Sequence, residues 1–450
     1  MYSVIIGGGV VGSHLARMLS HEGHDVALAD SSERVIERLE ESLDVKLAVG
    51  NGASLPMLKD LKAEFADLLL AVSGDDEVNL LACLMAKRMG AKKVLARVRN
   101  EAYALGKVQS YQSIIGIDLL ICPERLASNA ITGLLLAPGA VAVENLAGGR
   151  VQLRAFPVGS TSRLVGRTLR EIALPPSILI VAIQRESKAI IPGGSDTLEL
   201  GDQAYVLGTP EHLSEAAPAF GTPSGAVRRV VVLGGGQVGL SIAQSLEAHD
   251  LDVRLIERSR PRCRELSEIL SKTVVLTGDG TDLSLLREEH VSTADSFVAV
   301  SGVDSTNILS GLLSKELGVR SSVVLIERPE YLPLIERLGI DSAVSPRVLA
   351  AQEILQFVRR GQVSSAVVLG DQVAEILEIV PHPKSKVVGK ALSEIHFPKG
   401  ALAASIVNED RVVVPSGDYV ISKDDLVIVF ALPEAVPKIE KIFKVKRASG

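Results

Sequence analysis

The chain has 450 residues, too many for one ordinary domain, and its 47% apolar and 23% charged residues are typical of a globular protein. Aromatic residues make up only 3%, Trp is absent, and the net charge of −6 comes without a Lys/Arg stripe, so we expect no nucleic acid as the main partner. Three widely separated cysteines argue against a disulfide framework or a CxxC site, which fits a reducing cytosol.

Strand-like and helix-like segments alternate through residues 1–137. Short apolar segments typical of buried strands occur at about 2–6, 25–30, 45–49, 67–72, 92–98 and 118–122. The segments between them carry apolar residues at spacings of three and four, which is the period of a helix. This alternation predicts a Rossmann-like parallel sheet with helices on both faces as the first domain.

A glycine-rich loop, residues 7–12, follows the first predicted strand directly. In its pattern, G-x-G-x-x-G, the first glycine permits a tight turn, the second lets the backbone approach a phosphate, and the third lets the helix pack closely on the sheet. The free N–H groups at the start of that helix hold an anion. We therefore predict a nucleotide-binding loop formed by Gly7, Gly8, Gly9, Val10, Val11 and Gly12.

An acidic residue, Asp30, ends the second predicted strand, 18 residues after Gly12. A carboxylate at this position accepts hydrogen bonds from ribose hydroxyls and repels a 2′-phosphate. It therefore favours NAD(H) over NADP(H) as the cofactor and is equally compatible with ATP or ADP.

Further candidate binding residues follow the third, fourth and fifth predicted strands. Ser73 and Gly74 lie at the carboxyl end of the fourth strand, where open α/β sheets bind ligands. Asn51 is a candidate for contact with adenine or ribose, although Asn-Gly is also a common turn. Arg97 is a candidate for neutralising phosphate charge, and a surface salt bridge is the alternative.

Residues 138–220 have a different pattern. Two apolar segments, 178–184 and 189–191, flank a charged turn and predict a β-hairpin, and 203–207 predicts a further strand. We expect a small α+β domain here, which leads into a linker rich in Pro, Gly and Ser at 216–226.

The second half of the chain repeats the first. A strand pattern at 229–233 precedes a second glycine-rich loop, which begins 227 residues after the first, and the repeat extends to Asp202 and its counterpart Asp425. We predict a second Rossmann-like domain at 228–360 and a second small α+β domain at 361–447. The corresponding candidate binding residues are Gly234, Gly235, Gly236, Gln237, Val238, Gly239, Glu257, Asp279, Ser301 and Gly302.

Arg97 lacks an equivalent in this second set. When the halves are aligned on Glu101 and Glu330, Ile326 stands opposite Arg97 and Arg328 stands opposite Arg99. The second site then binds a less charged nucleotide, binds more weakly, or is empty, and the sequence leaves these alternatives open.

The sequence shows no pattern typical of a catalytic or metal site. It has no nucleophile elbow, no HxxxH or Cys/His cluster and no further domain type for a substrate pocket, so we expect no enzyme. A nicotinamide-dependent oxidoreductase is the alternative. The longest apolar run, 130–143, is short for a membrane span and contains Gly and Pro, so any work at a membrane requires a partner.

Taken together, these features resemble the Trk-type potassium uptake regulators of bacteria and archaea, whose units are called RCK or KTN domains. The resemblance covers essentially the whole chain. It rests on the paired glycine loops and on four further segments, Gly50-Asn51-Gly52, 67–79, Arg97-Val98-Arg99 and Gly166-Arg167-x-Leu169.

This resemblance implies a cytoplasmic protein that forms a homotetrameric ring on the inner face of a Trk-type membrane potassium channel. It also implies that NAD(H), ATP or ADP binds at the glycine loops, changes the shape of the ring and thereby gates the channel. An RCK-type regulator of a different transporter is the alternative. In the family, a helix like the one at 123–136 crosses to a neighbouring subunit, and an ordinary core helix fits the same pattern.

Overall fold

The computed structural model describes residues 1–21, 23–104, 111–172, 174–175, 177–186, 188–221, 227–359, 365–369, 372–409 and 411–443. Part of the predicted linker at 216–226, the boundary at residue 361 and the chain from 444 onward lie outside the described residues.

The first part of the chain forms an α/β domain around a parallel sheet. Its elements are β1 (Tyr2–Ile6), α1 (Val10–His21), β2 (Asp25–Asp30), α2 (Glu33–Glu40), β3 (Lys46–Val49), α3 (Leu55–Asp60), β4 (Leu68–Ala71), α4 (Asp76–Met89), β5 (Lys93–Arg97), α5 (Glu101–Ala104), α6 (Tyr111–Ile115), β6 (Leu119–Ile121) and α7 (Pro123–Leu135). The sheet order is β3-β2-β1-β4-β5-β6. The chain leaves β1 towards β2 on one side and returns to β4 on the other, so the carboxyl ends of β1 and β4 enclose the crevice where such sheets bind ligands.

A small antiparallel sheet follows this domain. Its elements are β7 (Ala142–Leu146), β8 (Val151–Pro157), β9 (Leu179–Arg185), β10 (Lys188–Ile190), β11 (Gln203–Gly208) and α8 (Pro210–Ala216). The sheet order is β10-β9-β11-β8-β7, and β9 and β10 form the predicted hairpin.

The second half repeats both folds. Its α/β domain contains β12 (Arg229–Leu233), α9 (Gln237–Ala248), β13 (Asp252–Glu257), α10 (Arg260–Ile269), β14 (Val274–Thr277), α11 (Leu283–Glu288), β15 (Ser296–Ala299), α12 (Asp304–Glu316), β16 (Ser321–Leu325), α13 (Leu332–Ile335), β17 (Ser342–Val344) and α14 (Pro346–Arg359). Its sheet order, β14-β13-β12-β15-β16-β17, matches that of the first copy.

The second small domain contains β18 (Ser365–Leu369), β19 (Gln372–Ile379), β20 (Ala401–Asn408), β21 (Arg411–Val413), β22 (Leu426–Ala431) and α15 (Val436–Phe443). Its order, β18-β19-β22-β20-β21, is that of the first small sheet. The predicted fold class, two Rossmann-like sheets that are each followed by a small α+β domain, is therefore confirmed. The domain boundaries at residues 137 and 360 stay predictions.

Contacts within the chain define two compact units, 1–131 with 229–358 and 132–228 with 359–450. In the first unit, α14 packs on the sheet of the other α/β domain. Its residues Ala350, Ile354 and Phe357 belong to the same buried cluster as Ile5 and Leu28 of that sheet. The last helix of the second α/β domain therefore completes the core of the first.

The reciprocal contact is made by α7. The Ser128 hydroxyl on this helix hydrogen-bonds the Ser241 hydroxyl on α9 at 3.1 Å. The helix that the family resemblance expects to cross to a neighbour thus contacts the second α/β domain of its own chain. In the second unit, Leu153 and Tyr205 of the first small sheet share a core with Ile376 and Phe430 of the second.

Candidate functional site

Each glycine loop joins the first strand of an α/β domain to the helix that follows it. Gly7 and Gly234 have φ angles of +106° and +107°, a left-handed backbone that favours glycine. A Cβ on Gly12 would lie 1.9 Å from the carbonyl oxygen of Gly7, and the equivalent distance at Gly239 is 1.8 Å. A side chain at either position would therefore force the helix away from the loop.

The middle glycine of each loop faces open space. A Cβ built on Gly9 or Gly236 would have no heavy atom within 4 Å among the described residues. Each glycine immediately precedes a 12-residue helix, α1 or α9, whose first N–H groups lack partners within the helix. Those N–H groups and the helix dipole favour an anion at this point. The geometry fits the diphosphate of a nucleotide.

The remaining loop positions differ in exposure. Val11 and Val238 are buried in the core beneath the helices, whereas Val10 is 45% exposed and Gln237 is half-buried. Val11 and Val238 can therefore serve a ligand only through their backbone N–H groups.

The predicted acids lie directly against the loops. The Asp30 carboxylate accepts hydrogen bonds from the backbone N–H groups of Gly8 at 2.7 Å and Ser32 at 2.9 Å. The Glu257 carboxylate accepts the equivalent bonds from Gly235 at 2.8 Å and Ser259 at 2.7 Å. Two backbone donors thus fix each carboxylate, and its remaining acceptor capacity is available for ribose hydroxyls.

Asn79, a buried residue of α4, holds Ser73 at the crevice between the carboxyl ends of β1 and β4. The sequence analysis did not include Asn79 in the site. The Asn79 side-chain oxygen accepts from the N–H and the hydroxyl of Ser73, at 2.9 and 2.7 Å. Its amide donates to the carbonyls of Ser73 and of Arg97, at 3.1 and 2.8 Å. Asn79 therefore ties the end of β4 to the end of β5. Its recurrence as Asn307 at the same spacing was the available signal.

Arg97 contacts a carboxylate, which is the alternative role that the sequence left open for it. Its guanidinium lies 3.8 Å from the Glu124 carboxylate, a long contact for an ion pair, and the two side chains are 14% and 22% exposed. Its Nε is buried without a hydrogen-bond partner in the described part of the chain. Burial lowers the pKa of Arg97 and raises that of Glu124. The guanidinium therefore has one unused donor, and its contact with a phosphate stays a prediction.

Arg99 is a second cation at this crevice and was not among the predicted binding residues. One of its terminal nitrogens lies 3.7 Å from the position of a Cβ built on Gly74. Its backbone N–H is fixed by the Asp76 carboxylate at 2.9 Å. The exposed guanidinium of Arg99 thus lies over the carboxyl end of β4.

The second domain places different residues at the end of its fifth strand. Asn307 donates to the carbonyl of Leu325, as Asn79 does to that of Arg97, and the strand pairing has the same register. The expectation that Ile326 stands opposite Arg97 is therefore wrong by one residue. The second half has one more residue than the first in the loop between the fifth strand and Glu330. An alignment on Glu101 and Glu330 therefore shifts the fifth strand by one residue.

Glu327, and not Arg328 as the alignment on Glu330 predicts, takes the place of Arg99 in this second domain. Its N–H donates to the Asp304 carboxylate at 2.8 Å, as that of Arg99 does to Asp76. The Glu327 carboxylate pairs with Arg347 at 3.0 Å. This position after the fifth strand thus carries an exposed cation in the first domain and a carboxylate paired with an arginine in the second.

Asn51 and Asp279 form the turns that the sequence offered as one of two explanations. The Asn51 side-chain oxygen accepts from the N–H of Ala53 at 2.9 Å. Asp279 accepts from the N–H and the hydroxyl of Thr281, at 2.9 and 2.7 Å, and these bonds lower its pKa. Contact of either side chain with a ligand stays a prediction.

Within the described ranges, no group of His, Cys, Asp and Glu residues is arranged to hold a metal ion. Among the same residues, no helix has the length and apolar character needed to cross a bilayer.

Comparison with known proteins agrees with the duplicated architecture. The family model of the TrkA-N domain matches residues 3–123 and 230–346, and that of the TrkA-C domain matches 153–221 and 376–444. Among solved structures, the GsuK channel bound to NAD has a TM-score of 0.64 and 18% identity, and the match covers 99% of this chain and 79% of that one. This likeness supports the fold.

Curated relatives match over their whole length. The Trk system potassium uptake protein TrkA homolog 1 of Methanosarcina mazei is 38% identical, with 99% of this chain and 100% of the relative covered. The Trk system potassium uptake protein TrkA of Haemophilus influenzae is 34% identical, with 99% of both chains covered. With both domain types matched twice and in order, the chain belongs to the TrkA family of Trk system potassium uptake proteins.

Proposed function

We propose that this chain is the nucleotide-sensing regulatory subunit of a membrane potassium uptake system of the Trk type. The observation that carries the proposal is the glycine loop with an open middle glycine and a carboxylate fixed beside it, present in both α/β domains. Family membership supplies the connection to potassium uptake. The role is regulatory rather than catalytic.

The first site is proposed to bind NAD(H), with ATP or ADP as alternative ligands. GsuK, which has the same fold, has been solved with NAD bound. In this chain the N-terminus of α1 would hold the diphosphate, and Asp30 would accept hydrogen bonds from the ribose hydroxyls. Arg97 would neutralise phosphate charge that lies beyond the loop. The proposed site residues are those of the loop, Asp30, Asn51, Ser73, Gly74 and Arg97, with their counterparts in the second copy.

The proposed regulation is allosteric. A bound nucleotide supplies negative charge and hydroxyl groups, and it shifts a conformational equilibrium only by its different affinity for the two conformations. A coupling of about 1–3 kcal/mol changes the behaviour of a partner roughly 5- to 150-fold. Helices α7 and α14 each contact the other α/β domain. A conformational change at one glycine loop can therefore be transmitted through these helices to the other domain.

Replacing Asp30 by Asn tests the ribose contact. The two Asp30 oxygens accept separately from the N–H groups of Gly8 and Ser32, so Asn keeps only one of these bonds, turns an amide donor toward the other N–H and lacks the negative charge that attracts a ribose hydroxyl. We expect NADH to bind about 10-fold more weakly. Isothermal titration calorimetry measures the change. Ser54→Ala, which removes a helix-capping bond to the N–H of Met57 outside the proposed site, is the control and should change the affinity by less than about twofold. Equal effects of both variants would contradict the role of Asp30.

The membrane partner is tested by co-purification. We propose that the chain forms a homotetrameric ring on the cytoplasmic face of the membrane through a Trk-type potassium channel. Tagged full-length chain, isolated from detergent-solubilised membranes, should carry a potassium-transporting membrane protein, identified by mass spectrometry. Recovery of a transporter for a different solute, or a monomeric mass in light scattering of the purified chain, would contradict this assignment.

A further inference from the structure

We infer that the two glycine-loop sites select ligands by the length of the phosphate chain: the second site takes adenosine monophosphate, and the first takes nucleotides with longer anionic tails. This rests on the proposed function, because it assumes that adenine nucleotides bind at these loops. On this inference, the two copies of the site bind different ligands and not the same one.

The sheet order determines where a long phosphate tail would lie. The acids that hold the ribose end β2 and β13, on one side of the central strands β1 and β12. The phosphate attached to the ribose lies at the helix N-terminus. Any further phosphates, or a second nucleotide half, extend from there across β4 or β15 towards the end of the fifth strand.

The first domain has cations at that end. Arg97 has a buried Nε without a partner in the described residues, and Arg99 has a guanidinium nitrogen 3.7 Å from the Cβ position of Gly74. The Arg99 guanidinium thus lies beside the path of a second and third phosphate, and Arg97, which is attracted by Glu124 and Glu327, adds positive charge at the same strand end. Arginine is well suited to this contact because its planar fork binds phosphate oxygens in pairs.

In the second domain the two corresponding positions carry no cation, and Arg328, which follows them, hydrogen-bonds the Tyr331 hydroxyl at 3.1 Å. Leu325, 3% exposed, replaces Arg97, and a Cβ on Gly302 would meet no described heavy atom within 4 Å, so nothing covers the crevice as Arg99 does at Gly74. Glu327 replaces Arg99 and is neutralised by Arg347. A second or third phosphate here would lie beside a leucine and a carboxylate that already engages the nearby arginine.

Positive charge in the second domain lies instead beside the glycine loop. Arg262 donates from Nε to the carbonyl oxygen of Gly235 at 2.8 Å, and a terminal nitrogen of the same guanidinium pairs with the half-exposed carboxylate of Glu265 at 2.9 Å. The first domain has Val35 at the corresponding place, against Gly8. A cation at the loop stabilises the phosphate that is bonded directly to the ribose and does not reach further ones. The charge distribution of the second site therefore matches a monophosphate.

Two single-site variants separate the sites. Gly9→Asp blocks the first loop and Gly236→Asp the second, and each is titrated calorimetrically with AMP, ADP, ATP and NADH. With only the second site open, we expect AMP to bind at least 10-fold more tightly than ATP. With only the first site open, ATP and NADH should bind at least 10-fold more tightly than AMP. Equal affinities for AMP and ATP at the second site, or no binding there, would overturn the inference.

Reciprocal charge changes test the cause. In the Gly9→Asp background, Glu327→Arg should tighten ATP binding about 10-fold and leave AMP within about twofold. In the Gly236→Asp background, Arg99→Glu, at an exposed position, should weaken ATP about 10-fold and leave AMP unchanged. Parallel changes for AMP and ATP would overturn the inference while leaving the proposed function intact. Absence of any adenine-nucleotide binding to the unmodified chain would instead refute the proposed function.

Discussion

Substitution of Gly9 by Asp is expected to lower the affinity of the first site for NADH and ATP by at least about 100-fold. The new carboxylate would stand where the helix N-terminus receives a diphosphate. Like charges about 4 Å apart repel by about 4 kcal/mol near a protein surface, and about 3 kcal/mol already corresponds to a 100-fold loss. Isothermal titration of the Gly236→Asp background, in which only the first site remains, measures the effect directly.

The variant should fold normally, which makes a loss of binding interpretable. A Cβ at Gly9 would meet no described atom within 4 Å, and Asp is a favoured residue immediately before a helix. Gly12→Ala is the contrasting variant, because its Cβ would lie 1.9 Å from the Gly7 carbonyl oxygen and would disrupt the loop. Gly9→Ala adds a methyl group without charge and should cost much less affinity than Gly9→Asp. Unchanged NADH affinity in Gly9→Asp would remove the basis for placing the ligand at this loop.

Local patterns predicted the architecture because they act over short stretches of chain. The order of strands and helices follows from hydrophobic periodicity, and the duplication is visible in the glycine loops and in the acids that follow them. The position of Asp30 at its loop could also be predicted, because a strand of known length brings its last residue to the same edge as the turn before it. The features that could be predicted from the sequence are those determined by neighbouring elements along the chain.

The features that sequence did not predict depend on contacts between distant segments. The periodicity of α14 shows an apolar face, but it does not say that the sheet of the other α/β domain covers that face. The register of β16 is set by hydrogen bonds to its neighbours, so Leu325 rather than Ile326 replaces Arg97. Arg99 could not be distinguished from an ordinary surface arginine before the distance between its side chain and Gly74 was known.

Substitution of Asn79 by Ala is expected to lower the free energy of unfolding by about 4 kcal/mol. The side chain is fully buried, and its loss leaves the Ser73 N–H and the carbonyls of Ser73 and Arg97 without their partner. Each buried polar group left unpaired costs about 1–3 kcal/mol, which places the variant in the severe range for a single substitution. Urea denaturation followed by circular dichroism measures the loss.

If Asn79 had only a structural role, the substitution would lower stability alone. Its position also predicts weaker binding of the nucleotide. Because this side chain fixes the ends of β4 and β5 to each other, the first site should lose about 10-fold in NADH affinity under conditions where the variant is still folded. Asn307→Ala is the matched variant; it should destabilise the chain to a similar extent and leave the first site unchanged. Leu81→Ala, on the exposed face of the same helix, should change stability by less than about 0.5 kcal/mol. If Asn307→Ala weakened NADH binding as much as Asn79→Ala, general destabilisation rather than the local link between two strand ends would explain the loss.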